Sequence, residues 1–231
     1  LDLSTGAFLI DEGEQDHIVE RLRLIDPAEI IHAIEGDEDL LAKHLAHRRE
    51  KTQLTDYGEW NFEYATAERE LNEHFQTSTL DGFGVAGREL GITAAGAILR
   101  YLRENHRRRL DHIKRLIPFD DDQYMSLDYA TVRNLELVEN ATGGQTNTLF
   151  AVMNRCLTAA GSRRLRQSLL RPYSRREPIE RRLSGVAELV RNRDLAHGIR
   201  ELLRGCPDLE RLTGRLGIGT VPPRPMSNIG Q

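Results

Sequence analysis

The sequence predicts an α/β module that gives way to an all-α one. Short apolar runs alternate with helical stripes in the first half, whereas from Asp128 onward apolar residues recur only at helical spacing. Charge divides the chain in the same way. Residues 1–115 hold 15 Lys and Arg against 23 Asp and Glu, a net of −8, and residues 116–231 hold 17 against 13, a net of +4. Halves of opposite charge face different electrostatic surroundings. A chain of 231 residues is long enough for two domains, and the pattern places them at 1–110 and 111–231.

In the first module, Ser4-Thr5-Gly6 is turn chemistry ahead of Ala7-Phe8-Leu9-Ile10, which predicts a hairpin. Ile18, Leu22 and Ile25 recur at helical spacing until Pro27 interrupts them, and Glu29-Ile30-Ile31-His32 offers a second strand. Leu40, Leu41, His44 and Leu45 predict a short helix, and Tyr64, Ala67, Leu71 and Phe75 mark the inward stripe of another. Gly82-Phe83-Gly84 makes a loop, after which Leu90, Ala94, Ala97, Ile98, Tyr101 and Leu102 trace the expected buried face of a long helix. Arg107-Arg108-Arg109 at its C-terminal turn complement the negative end of the helix dipole, typically ~0.3–1 kcal/mol per exposed charge.

The second module opens with Leu116-Ile117-Pro118-Phe119 and Tyr124-Met125-Ser126-Leu127 flanking Asp120-Asp121-Asp122-Gln123, which predicts one hairpin with a polar turn. Helices follow. Asp128 is placed to cap one carrying Thr131, Leu135 and Val138. Leu157, Gly161, Leu165 and Leu169 stripe a second that stops at Pro172, and Glu177-Pro178 opens a third containing Ile179, Leu183, Val186, Ala187 and Val190. Leu195, Ile199, Leu202 and Leu203, then Leu209, Leu212 and Leu216, continue the series. Short polar connections predict that these helices pack on one another through buried leucine ladders.

Composition excludes several classes. Two cysteines, Cys156 and Cys206, without C-x-x-C spacing, do not make a disulfide scaffold, and a reduced, cytoplasmic setting is expected. No apolar run approaches the ~20 residues a membrane-spanning helix needs. The chain opens at Leu1-Asp2-Leu3 without an initiator Met and closes in the Pro-rich Val221-Pro222-Pro223-Arg224-Pro225, so it reads as a segment of a longer polypeptide.

Chemistry-bearing residues occur as fragments rather than constellations. Asp2 stands beside Ser4, Thr5 and Gly6, but a hard cation needs several convergent oxygens, so a solvated turn is the expectation. Asp120-Asp121-Asp122 diverge as consecutive side chains and read as a turn. His32, His44, His47 and His74 match no zinc spacing, and Cys156, within a helical stripe, is expected as a core thiol. Gly143-Gly144-Gln145 spells a peptidyl-tRNA hydrolysis tripeptide without its structural context, and no phosphate-binding G-x-x-x-x-G-K-[ST] loop is present. The strongest case for nucleic-acid contact is Arg163, Arg164, Arg166, Arg171, Arg175, Arg176, Arg181 and Arg182 within twenty positions. Leu165, Leu169 and Leu183 interleave with them, so the competing reading is the solvated face of core helices, with only Tyr173 nearby to stack a base.

Longer stretches carry a resemblance. In the second half, Met125 to Leu137, Asn147-Thr148-Leu149-Phe150-Ala151-Val152-Met153, Thr158 to Arg166 and Leu169-Leu170-Arg171-Pro172 resemble the MutS family of DNA mismatch-recognition ATPases. So do the helix from Ile179 to Val190 and the stretch from Asp208-Leu209-Glu210-Arg211-Leu212 to Pro223-Arg224-Pro225. In the first half, Leu1 to Phe8, Phe75 with Leu80-Asp81-Gly82-Phe83-Gly84-Val85, and Ala94-Ala95-Gly96-Ala97 are similar to the same family's connector. Gln167-Ser168 departs from it where many relatives carry a tryptophan before Leu169, which bears on local packing.

The resemblance implies an incomplete ribonuclease H-like α/β connector at 1–110 and the first part of an all-α helical lever, or core, domain at 111–231. It implies a non-catalytic segment, with no cofactor of its own, that couples the ATPase and mismatch-binding domains of a parent protein. ATP and Mg²⁺, mismatched duplex DNA, a second MutS subunit and MutL are expected for that parent. Within the segment, Leu135, Leu165, Leu169 and Leu183 are the expected structural relay. Exposure on the Tyr64–Phe75 helix suggests Glu68, Arg69, Glu70 and Glu73 as a MutL-docking face. The alternatives are a stand-alone arginine-rich nucleic-acid-binding module and a ribonuclease H-type nuclease using Asp2. Titration with duplex DNA separates them: salt-sensitive binding for the module, little for the relay, Mg²⁺-dependent cleavage for the nuclease.

Overall fold

Two units, with main bodies Leu1–Phe119 and Asp120–Leu212, make up the chain. The structure, a computed structural model, describes residues 1–33, 41, 43, 52–106, 110–119 and 122–217. The expected helix residues Leu40, His44 and Leu45, and the dipole-complementing Arg107, Arg108 and Arg109, lie outside these.

Strand pairing in the first unit is parallel. Strand β1 (Phe8–Ile10) follows the expected turn, where Gly6 adopts φ 75° and its amide donates to the Asp2 carbonyl at 2.8 Å. Beyond an isolated Asp2–Ala7 bridge no hairpin forms. Instead β1 pairs with β4 (Leu116–Pro118), placing Phe8 opposite Leu116 and Ile10 opposite Pro118. Of the two arms expected to form a hairpin around Asp120–Gln123, Leu116–Pro118 thus pairs with β1 and Tyr124 bridges Tyr173, while Asp120 and Asp121 lie outside the described residues. The reason is burial: Phe8, Ile10 and Leu116 all enter one core, which a local hairpin cannot offer. The second pair, β2 (Glu29–His32) with β3 (Gln53–Asp56), is also parallel. Strand β3 has only Leu54 as an apolar residue, so the sequence carried no alternation to reveal it.

Helix α1 (Gln15–Ile25) ends at Asp26 in the left-handed conformation, just ahead of Pro27. Helix α2 (Tyr64–Phe75) buries Ala67 and Leu71 as its stripe predicts. Helix α3 (Glu89–His106) buries part of the expected face: Ala97 and Leu102 are buried and Ile98 and Tyr101 pack against the core, but Ile92, Ala95 and Leu99 are buried as well, whereas Ala94 is exposed and Leu90 is 71% exposed. Apolar residues surround most of this helix, so periodicity alone does not choose its inner face. Its glycines do. A Cβ on Gly96 would lie 2.4 Å from Ala67 Cβ, and one on Gly91 would lie 2.6 Å from Ile10 Cγ1. Only hydrogen at those positions lets α2 and β1 approach so closely. Leu71, Val85, Leu99 and Ile113 complete the core.

The second unit shows how far local capping rules reach. Asp128 accepts from the Thr131 amide at 2.6 Å and starts α4 (Tyr129–Asn134), as expected. That helix is shorter than its stripe predicts. Glu136, at φ 47°, turns the chain, and Leu135 and Val138 fall outside the helix. Thr148 caps α5 (Leu149–Met153), Thr158 caps α6 (Ala159–Leu170) and Asn192 caps α8 (Arg193–Arg204), each through a side-chain oxygen. Between them lies α7 (Arg176–Arg191), and α9 (Leu209–Gly217) follows. No residue of α6, α7 or α8 is fully buried. The fully packed leucine ladder expected there is therefore absent among the described residues: Leu165 and Leu169 are half-buried, Leu183 is 60% exposed and Leu135 is 61% exposed.

Candidate functional site

The proposed docking face on α2 divides in two. Arg69 and Glu73 are exposed, as expected. Glu70 instead faces α3, where Arg103 donates to it and Arg100 Nε lies 3.9 Å away. Glu68 is half-buried and accepts from the Tyr64 hydroxyl at 3.3 Å. Two members are thus partly committed to the unit's own structure. The same region holds a polar tie that spacing did not reveal. Tyr101 Oη and Thr55 Oγ1 both donate to Glu29 Oε1, at 2.6 and 2.7 Å, fixing the second strand pair to α3. Tyr57 Oη donates to Glu104 Oε2 at 2.5 Å, and burial followed by that carboxylate pushes its phenol pKa up.

Asp2 is occupied locally. Burial opposes its ionisation, but hydrogen bonds from Ser4 and Thr5 outweigh it and hold the carboxyl below its ordinary value. Its Oδ1 accepts from both the Ser4 amide and hydroxyl, at 2.8 and 2.7 Å. Among the described residues no group of three or more His, Cys, Asp or Glu is arranged to hold a metal. His44, His47, Asp120 and Asp121 lie outside the described residues. His32 is buried, and His74 Nε2 is 2.9 Å from the Ile113 carbonyl with its pKa lowered, first by burial. Cys156 is exposed rather than a core thiol, because it precedes α6 instead of lying in its stripe. Gly143 and Gly144 belong to a loop closed by Asn140, whose Oδ1 accepts from the Thr142 and Gly144 amides.

The arginine-rich stretch is sorted by its partners. Arg163 forms a fork on Asp208, at 2.6 and 2.8 Å, and also reaches Glu210 at 2.7 Å. Its hydrogen bond holds the Asp208 carboxyl down to about 2 despite the opposing effect of burial. Arg176 pairs with Glu180 within α7. Two others stack: Tyr124 and Tyr173 lie face to face with centroids 4.9 Å apart, Arg171 lies 4.2 Å over Tyr124, and Arg182 lies 4.8 Å over Tyr173. An antiparallel bridge joins the two tyrosines' backbones. Neither the Arg163 clasp nor this column has a signal in sequence spacing, since each joins residues far apart along the chain.

An acidic α/β unit followed by a basic, incompletely buried helical unit describes part of a multidomain protein, and comparison assigns each part. Residues 1–114 match MutS domain II and residues 130–231 match MutS domain III. The chain is 37% identical over 233 residues to the DNA mismatch repair protein MutS of Desulfosudis oleivorans, covering all of this chain and 26% of that protein. It is 38% identical over 239 residues to the MutS of Solibacter usitatus, covering all of this chain and 27% of that one. The protein belongs to the MutS family. It spans about a quarter of the length of these relatives. No helix among the described residues is long and apolar enough to cross a membrane.

Proposed function

We propose that the chain serves, within a MutS mismatch-recognition protein, as the non-catalytic segment that couples nucleotide state to DNA engagement. The carrying observation is the interlock of α2 and α3, where Gly96 admits Ala67 at a separation no larger residue allows. Such a joint moves as one body instead of deforming, which a mechanical relay requires. The second unit adds the Arg163 clasp on Asp208, with the half-buried Leu165 and Leu169 on the same helix as Arg163. Leu135 and Leu183 complete the proposed relay from exposed positions. In this reading the first unit derives from a ribonuclease H-like connector. The whole protein works in the cytoplasm on mismatched duplex DNA, with ATP, Mg²⁺ and a second MutS subunit supplied outside these domains.

The test uses a full-length parent. Replacing Leu165 and Leu169 together by Ala should weaken ATP-driven release from mismatched duplex while leaving ATP binding intact. Release kinetics equal to wild type would reject the relay. The accompanying MutL-docking proposal rests on the exposed Arg69 and Glu73, with Glu68 and Glu70 shaping the surface from behind. Reversing the charge at Arg69 and Glu73 should weaken MutL capture, and unchanged capture removes that proposal.

A further inference from the structure

The column Arg171–Tyr124–Tyr173–Arg182 does more than join two backbone segments. Arg182 begins on α7 and reaches α6, where its Nη1 donates to Ser168 Oγ at 2.9 Å. Arg164, one turn before Ser168 on α6, is exposed, and the Ser168 hydroxyl that accepts from Arg182 itself donates to the Arg164 carbonyl at 2.8 Å. Tyr173 is the more acidic of the two phenols, first through its hydrogen bond with Tyr124 and then through Arg182 and Arg164. Thus guanidinium groups separated in sequence converge on one aromatic stack. Arg163 and Arg176 are neutralised by carboxylates, but Arg164 and Arg182 have no carboxylate partner among the described residues.

A guanidinium lying over an aromatic ring keeps N–H groups in its own plane; with Nη1 on Ser168, Arg182 retains its other N–H groups for an anion, and the fixed placement limits the rotamer freedom lost on binding. The surroundings suit a polyanion better than an isolated phosphate. Arg175 and Arg181 are also exposed, and besides the neutralised Arg163 and Arg176 residues 163–182 contain six Arg, against only Glu177 and Glu180. Tyr173 is covered by Tyr124 and by Arg182, so it offers no free face to a base. We infer that Arg182, lying over Tyr173, and Arg164, one helical turn before the Ser168 that Arg182 engages, form a contact site for the phosphodiester backbone of DNA. The site reads charge and spacing and is indifferent to sequence or mismatch. It goes beyond the relay and does not depend on it; the relay alone predicts little DNA binding by this chain.

Anisotropy of a fluorescently labelled duplex, titrated with the 231-residue chain at several salt concentrations, tests the site. Binding should weaken linearly on a log–log salt plot. Replacing Arg164 and Arg182 together by Ala should reduce that slope by about two, roughly one for each phosphate contact removed. The control Arg193→Ala with Arg200→Ala removes the same charge from exposed positions on α8 and should leave the slope unchanged. Arg164→Glu provides a second variant should Arg182 prove necessary for folding, and it should weaken binding several-fold with an unchanged circular dichroism spectrum. Absence of salt-sensitive binding, equal effects of the two Ala pairs, or undiminished binding by Arg164→Glu overturns the site. Displacement of duplex by inorganic tripolyphosphate as effectively as by unlabelled duplex at equal phosphate concentration assigns it to small anions and overturns the DNA reading. Matched and mismatched duplexes should bind alike. In the full-length parent, Arg164→Glu should leave ATP-driven release intact, so failure here and failure of the relay remain distinguishable.

Discussion

Leu99 and Leu202 each lie on an amphipathic helix, yet Leu99 has no exposed surface and Leu202 is 82% exposed. In the first unit α3 meets α2 and β1 through Gly96 and Gly91 and closes a core. In the second, α7 and α8 leave Leu183, Val186, Val190 and Leu202 exposed. An apolar stripe therefore specifies which side of a helix seeks cover. It does not specify what covers it, or whether the covering group lies within the same chain.

The largest effect should separate those two leucines. Leu99→Ala should cost ~2–5 kcal/mol by removing buried methyl groups and opening a cavity. Leu202→Ala should stay within ~0.5 kcal/mol, as exposed substitutions usually do. Urea unfolding of both variants checks the pair, and equal losses would erase the distinction between the units. Next comes Gly96→Ala, which should destabilise by ~1–3 kcal/mol although Ala is the better helix former, because the added methyl collides with Ala67. Stabilisation would mean that α2 and α3 are not interlocked.

A smaller effect belongs to the second unit and depends on pH. Arg163 holds the folded Asp208 carboxyl at about 2, below its value in an unfolded chain. A depressed carboxylate stabilises the folded state above the ordinary carboxylate range, and that contribution disappears as pH falls through this range towards about 2. Because both partners are partly exposed, Arg163→Ala should cost only ~1–2 kcal/mol at neutral pH. Subtracting the stability curve of Asp208→Asn from that of wild type should isolate the acid-side loss. A difference independent of pH between about 4 and about 2 would show that the clasp is not coupled to ionisation.

Much of the local structure was legible beforehand. Asp128 capped its helix, Tyr64 to Phe75 formed one with Ala67 and Leu71 inward, and Gly6 turned the chain ahead of β1. Family resemblance was legible too, through ordered motifs spread along both halves, and the MutS domain matches agree with it. The burial of Ile92, Ala95 and Leu99 on α3, the parallel partner of β1, the existence of β3 and the exposure of Leu135 and Leu183 were not. Of the candidate site residues, exposure of Arg69 and Glu73 followed from helical spacing, whereas the engagement of Glu70 by Arg103 required α3 to be in place.

By itself, the sequence determined the caps, the turns, most helical segments and the division into an acidic and a basic half. Each rests on backbone preferences and hydrogen bonds spanning a few residues, or on charges that can be counted along the chain. Tertiary structure alone decided that Phe8 would meet Leu116, that Arg163 would close on Asp208, and that Tyr124 would stack on Tyr173. Those choices depend on which surfaces can exclude water together and which charges then lie within hydrogen-bonding distance. Neither exists as a property of the chain until distant segments have been brought side by side.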